Sequence, residues 1–415
     1  MYLLLYSIII LLSLYLTKIK YRTVIKSNIL FTLIWCTCAG ISSIGFYGLY
    51  KPSAIIHFYS LTAIITFNII FFIHNRNKEN PINTRNIKGK ARLNIIYILN
   101  FISWLYLSEF LIKALDIINS IGLKGLRGYA YDSSKGFATT FELLIIQWII
   151  EPIFIATILI AVVYIVLGKK APLLKIISII SVTIYTLTFG GRYLIVRVLM
   201  YYIFTLLITK STQLKVLGKK KVNKLFIGAI ILTIIILTNQ RSWGESSFIE
   251  STLVYYVGSF TFLDVLLKAT SNMSPMPLFG GGIFGFVYNL IVTPLIMILD
   301  LPYINSNYII TQVTSIPRMI SPTQSYLAMT TMLYPFLRDF GYLGIIIGTS
   351  FLAWIISSAE IRLKRTNKLF LLCFYVYLCF VLFDSVMSYQ LLFPSAGVTL
   401  LALYLFIDPQ NRKID

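Results

Sequence analysis

The chain has 415 residues, 58% of them hydrophobic and only 12% charged, a balance that excludes an ordinary soluble domain. Its formal net charge of +21 would suit a nucleic-acid binder, but the lysines and arginines fall in short loops at alternate ends of apolar runs, the positive-inside pattern of a polytopic membrane protein. The four cysteines, Cys36, Cys38, Cys373 and Cys379, have the spacing of neither a zinc site nor a disulfide framework.

The first apolar run, residues 2–16, precedes Lys18, Lys20, Arg22 and Lys26, which places the N-terminus outside. Further spans follow it and no small-residue cleavage site does, so it reads as a retained helix. A second span over 27–47, a tight turn at Lys51 and Pro52 and a third span over 54–73 lead to a cytoplasmic loop holding Arg76, Lys78, Arg85, Lys88, Lys90 and Arg92. Span 4, residues 93–115, carries Glu109 and Lys113 four apart, a pairing that stabilises an exposed helix by only a few tenths of a kcal/mol. The glycine-punctuated segment 122–136 is too polar to cross and faces outward. Arg127 and Tyr129 within it are candidates for substrate contact, against the alternative of a solvated loop.

Span 5, residues 141–167, contains Glu142, Gln147 and Glu151 just before Pro152, where a kink would open a polar notch. The alternative gives Glu142 to the interface and neutralises Glu151 with Arg192 or Arg197. Lys169, Lys170 and Lys175 mark the cytoplasm, span 6 covers 173–188, and Gly190 and Gly191 turn the chain into span 7, residues 193–208. This turn holds the stretch FGGRYLIVR, residues 189–197. Arginine facing lipid costs roughly 2.5–3.5 kcal/mol at mid-bilayer, so Arg192 and Arg197 are expected to face a cavity, a partner or the headgroups. Five residues place them about 140° apart on a helix, able to border one wide cleft without sharing a stripe.

Lys210, Lys215, Lys219, Lys220, Lys221 and Lys224 precede span 8, residues 225–237, which ends at Asn239, Gln240 and Arg241. A large outer region, residues 239–340, follows. Its apolar stretches 254–267 and 283–299 read either as a hairpin of spans or as segments lying in the outer leaflet; Asp264, Lys268 and Pro294 favour partial or re-entrant elements. Residues 325–337 read as a short surface helix leading into span 9, residues 341–359. Arg318 and Arg338 stand outside against the charge rule, so they are expected to pair with Glu245, Glu250 or Asp339, or with an anionic ligand. Arg362, Lys364, Arg365 and Lys368 return the chain to the cytoplasm, and spans 10 and 11 occupy 369–386 and 389–406. The expectation is a single all-α polytopic membrane domain over 1–415. It has about eleven spans, up to thirteen if both stretches cross, with the N-terminus out and the C-terminus in.

The cytoplasmic loops hold no phosphate-cradling or dinucleotide motif, so a substrate activated on a nucleotide has no site there, whereas one already activated on a lipid needs none. The long outer loop, the FGGR opening of a span at 189–192 and the stretch SPTQSYLAMTTMLYPFLRDFGYLGIIIG at 321–348 together resemble the oligosaccharide repeat-unit polymerases, the Wzy or O-antigen polymerase class. Tyr193 stands where many relatives have a small residue. The resemblance implies a fold like the multispanning GT-C-type glycosyltransferases, a bacterial cytoplasmic membrane location, and no cofactor or metal. It also implies transfer between undecaprenyl-diphosphate-linked oligosaccharides on the outer face, building O-antigen, capsule or exopolysaccharide. Partners would be the lipid-linked substrate, membrane lipids, and the flippase and chain-length regulator of the same pathway.

In that chemistry negative charge grows on a departing diphosphate, which fixed guanidinium groups stabilise most in the transition state. Arg192 and Arg197 are the first choices, with Arg338 and Arg318 completing the clamp, and arginine's fork matches phosphate oxygens better than lysine does. Glu142, Glu151, Glu245 and Asp339 are candidates to take the acceptor proton, and spacing selects none of them. The expected catalytic set is thus Arg192, Arg197, Arg338 and Glu151; the expected substrate contacts are Arg127, Arg241, Arg318, Asp339, Tyr326 and Tyr334. Tyr255, Tyr256, Tyr326 and Tyr334 would stack on sugars or sit among headgroups. The competing functions are a lipid-linked oligosaccharide flippase, which should show repeated halves, and an O-antigen ligase-like transferase. His57 and His74, in an early span and a cytoplasmic loop, give no histidine signature for an acyltransferase.

Overall fold

In a computed structural model the described residues are 1–75, 87–130, 136–191, 193–209, 248–270, 278–299, 306–327 and 329–408. They are overwhelmingly helical: α1 (Tyr2–Tyr21), α2 (Ser27–Ser42), α3 (Ala54–His74), α4 (Leu93–Ala130), α5 (Thr140–Ile145), α6 (Glu151–Val166), α7 (Pro172–Phe189), α8 (Tyr193–Thr209), α9 (Phe248–Thr270), α10 (Gly285–Leu299), α11 (Ser306–Thr314), α12 (Leu333–Thr366), α13 (Leu369–Asp384) and α14 (Pro394–Phe406). One two-residue ladder, β1 (Arg318–Met319) with β2 (Ser325–Tyr326), pairs antiparallel. Seven described helices are long and apolar enough to cross a bilayer, and five shorter apolar ones accompany them, so the chain is an all-α polytopic membrane protein.

Several expected boundaries move. The helix expected over 325–337 is not formed: β2 occupies its start and α12 begins only at Leu333. The reason is local, because the Ser321 hydroxyl accepts from the backbone N–H groups of Thr323 and Gln324 (3.2 and 2.9 Å) and closes a turn around Pro322 that feeds a hairpin. The segment expected as an outer loop from residue 122 stays helical to Ala130, after a break at Gly122 with φ 76°. The stretch at 254–267 is part of α9, whose portion Leu253–Thr270 is long enough to cross, while α10 at 15 residues is short. Span 8, residues 225–237, lies outside the described residues.

The kink expected at Pro152 takes the form of a π-turn, Ile146–Ile150, immediately before it. Proline lacks the N–H that would close the preceding turn, and its ring crowds the carbonyl four residues back, so the backbone widens there. Glu142 begins this element as half of a capping box, its carboxylate accepting from the Thr139 N–H at 2.7 Å.

The chain forms two compact units, each assembled from separate segments: Met1–Asn80, Ile249–Arg362 and Val381–Gly397 in the first, and Pro81–Phe248, Leu363–Phe380 and Val398–Asp415 in the second. In the first, α2 packs between α1 and α3, with Phe31 stacked on Phe67 (4.2 Å between centroids) and Trp35 donating to Ser385 Oγ at 2.8 Å. Buried amides join the same helices: Asn28 donates to Thr17 Oγ1 and Asn68 Oδ1 at 2.9 and 3.1 Å. In the second unit α6 is the central helix, nearly all of its residues being buried. There Asn100 donates to Thr157 Oγ1 (2.8 Å) and accepts from Ser181 Oγ (2.9 Å), tying α4, α6 and α7 together through polar groups that would be costly to leave unpaired in a bilayer.

Within the first unit the ends of the helices sort by charge. Lys26 is buried in an ion pair with Glu360, His74 Nε2 meets Ser358 Oγ at 2.9 Å, and Tyr21 donates to the Asn75 carbonyl, so three basic or polar helix ends gather at one end of α3. At the start of α3, about 30 Å away by helical rise, Ser53 donates to Asp264 and the Tyr50 N–H donates to the Ile320 carbonyl. Tyr342 stacks on Phe58 near that same start. Residues 318–342 are therefore carried at the end of this unit opposite the Lys26–Glu360 pair.

Candidate functional site

Two polar groupings contain the sequence-predicted residues, one in each unit. In the second unit Arg197 projects from α8 and is only 4% exposed. Its Cζ lies 4.3 Å from the Tyr193 ring centroid and 5.0 Å from that of Phe380, and its Nη2 donates to the Tyr193 hydroxyl at 2.9 Å. Glu151, the first residue of α6 after the π-turn, accepts from the Tyr185 hydroxyl at 2.9 Å, and the opposite charges of Glu151 and Arg197 act on one another. Arg197 is thus the arginine in electrostatic reach of Glu151 among the described residues. The aromatic sheath is built by sequence proximity on α8 and by α13, whose Phe380 also meets Tyr201 at 5.4 Å. The Arg197 guanidinium is desolvated among aromatic rings, within electrostatic reach of an acid.

The first unit holds the other grouping. Arg338 lies on the opening turn of α12, and its Nη1 donates to the Tyr334 hydroxyl at 3.3 Å. Arg318, on β1, is half-buried like Arg338 and lies within electrostatic reach of the same buried tyrosine. The Nε of Arg318 has no hydrogen-bond partner among the described residues. β1 and β2 hold Arg318 opposite Tyr326, whose hydroxyl donates to the Tyr255 carbonyl at 2.6 Å. Burial pushes the Tyr326 hydroxyl well above the ordinary phenol range, with Tyr255, Tyr256 and Asp384 adding to the effect, so it serves as a neutral donor.

Asp339 is held by the backbone. Its carboxylate accepts from the backbone N–H groups of Gly280 (3.1 Å), Gly282 (3.0 Å) and Ile283 (2.7 Å), instead of pairing with an arginine or facing outward. Arg127 sits on the helical segment that follows the Gly122 break, and Tyr129 near the end of the same segment is 37% exposed. Arg192, Arg241 and Glu245 lie outside the described residues. One acid escaped the sequence reading: Asp384, 2% exposed at the end of α13, accepts from the Gln390 amide and stands in the electrostatic reach of Tyr256 and Tyr326. The available signal was an ionisable residue closing an otherwise apolar helix.

No cluster of metal-ligating side chains occurs among the described residues. No family model matches the chain, and no curated protein or solved structure does either.

Proposed function

We propose that the protein joins lipid-linked oligosaccharide repeat units into a surface polysaccharide. In this reaction the undecaprenyl-diphosphate-linked chain is the donor, and a sugar hydroxyl of the incoming unit is the acceptor. The observation that carries the reading is that Arg338 donates to the Tyr334 hydroxyl at 3.3 Å with Arg318 in electrostatic reach of it, at the end of the first unit remote from the Lys26–Glu360 pair. Two forked cations a few residues from aromatic side chains suit a diphosphate attached to a sugar, because guanidinium groups bind phosphate oxygens in pairs and rings cover pyranose faces. The resemblance of FGGR and of the 321–348 stretch to repeat-unit polymerases points the same way.

In the transfer, the acceptor oxygen forms a bond to the anomeric carbon and the carbon–oxygen bond to the diphosphate breaks. The electron pair leaves on the diphosphate, where Arg318 and Arg338 stabilise it, and the acceptor proton passes to a carboxylate. Among the described acids of the first unit we assign that role to Asp384, a buried carboxylate that accepts from the Gln390 amide. Tyr256 and Tyr326 border it. Arg197 and Glu151 support the reaction by holding the helices of the second unit.

The test is incubation of the purified full-length protein with lipid-linked repeat units, without added nucleotide or metal. A ladder of longer lipid-linked products is expected. Unchanged substrate would refute the reading, and movement of single units across a vesicle bilayer without extension would make the protein a flippase.

A further inference from the structure

Helix α12 is not one rigid rod. Phe340 (φ −140°, ψ 28°) and Gly341 (φ 58°, ψ −139°) break it, so the short opening segment with Tyr334 and Arg338 cannot take its orientation from the long helix that follows. It must be held from the side. The described contacts show what holds it: Asp339, 4% exposed, accepts three N–H bonds from the turn at residues 278–283, and the Leu278 N–H reaches the Arg338 carbonyl at 3.4 Å. The turn is fixed in its own right, with Ser306 Oγ donating to the Gly281 carbonyl at 2.8 Å and Tyr389 donating to the Ile283 carbonyl at 2.9 Å.

The approach is close enough to demand glycine. A Cβ on Gly282 would stand 2.5 Å from the Pro335 carbonyl oxygen and 3.0 Å from the Asp339 carboxylate. The turn also holds Phe279 at φ 48°, a left-handed conformation that a bulky residue adopts only when its surroundings impose it. A buried carboxylate accepting three backbone donors is a strong, direction-specific fastener, since charge-assisted hydrogen bonds exceed neutral ones.

We infer that Asp339 is a positioning residue: by fastening the 278–283 turn to the opening segment of α12, it sets where the Arg338 guanidinium meets the diphosphate of a polyprenyl-linked substrate. This rests on the reading under Proposed function for the identity of the ligand. Phe340 and Gly341 supply the freedom that the fastener removes. The same geometry explains the LRDFG sequence order, with the anion-gripping arginine, its fastener and the helix break in consecutive places.

The experiment measures affinity of the detergent-purified full-length protein for two probes, undecaprenyl diphosphate and the uncharged undecaprenol. Asp339→Asn is expected to weaken the diphosphate probe by about tenfold, the scale of losing hydrogen bonds to a charged acceptor, and to leave undecaprenol binding unchanged. Hydrogen exchange should show loss of protection at the amides of Gly280, Gly282 and Ile283. Tyr389→Phe, which removes a single bond to the same turn, should move the diphosphate affinity in the same direction by a smaller factor, and it carries the test if Asp339→Asn does not fold. Equal weakening of both probes, or unchanged diphosphate affinity with exchange protection lost, would overturn the positioning role. Failure of the unmodified protein to prefer undecaprenyl diphosphate over undecaprenol would instead sink the ligand assignment.

Discussion

Arg197 and the Arg318–Arg338 pair are both arginines in a membrane protein, yet their surroundings differ in kind. Arg197 is enclosed by Tyr193 and Phe380 and acts on Glu151, whereas Arg318 and Arg338 are half-buried, Arg338 donating to the Tyr334 hydroxyl and Arg318 in electrostatic reach of it. Arg197 is desolvated within its helices, while Arg318 and Arg338 keep partial exposure on the hairpin and on the opening turn of α12. An arginine in an apolar run thus marks a polar centre whose character depends on the residues around it.

The largest expected effect separates the two directly. Arg197→Ala should destabilise the folded protein by about 3–5 kcal/mol, because it strands Glu151 among helices, seen as a lowered Tm in detergent. Combining it with Glu151→Gln should cost less than the sum of the two single changes. Loss of chain extension with an unaltered Tm would break the comparison and put Arg197 in the chemistry. Next, Arg338→Ala should reduce kcat for extension by about 10²–10³-fold, as removal of a donor to developing negative charge does, with Tm nearly unchanged. Arg338→Lys should recover only a small part, since an ammonium lacks the planar fork; full recovery would show that charge alone suffices.

Two smaller effects calibrate these. Thr139→Ala removes the capping box that starts the kinked α5–α6 element and should lower stability by about 1 kcal/mol, measured by the same melt, without changing extension rate. Lys113→Ala breaks an exposed pair with Glu109, 2.7 Å apart, and should shift stability by no more than about 0.5 kcal/mol; a larger loss would mean that this helix end is covered in the assembled membrane protein.

Much of the helical layout was legible in the chain because lipid exposure forces long apolar runs and each basic cluster punctuates them. Runs at 54–73, 173–188 and 193–208 differ from α3, α7 and α8 by at most one residue at either end. The SPTQ turn was not legible, since Ser321 closes it through side-chain bonds to Thr323 and Gln324 while the surrounding residues carry a helix-compatible apolar pattern. Of the site, Arg318, Arg338 and Tyr334 were identifiable singly as polar or aromatic residues in an outer region. The placing of Arg318 beside the Tyr334–Arg338 pair was not, because β1 and α12 are separate elements of the chain. Asp339 misled for a simple reason: an acid beside an arginine in sequence suggests a pair, and backbone donors 56 to 59 residues away have no sequence signature.

Composition and charge order alone determined that this protein is helical and membrane-embedded, since backbone groups in lipid must pair within their own segment and few other solutions exist. Tertiary structure decided which neighbours each charge meets. A carboxylate or guanidinium acts on whatever lies within a few ångströms, and for Arg197, Asp339 and Asp384 those neighbours come from distant parts of the chain.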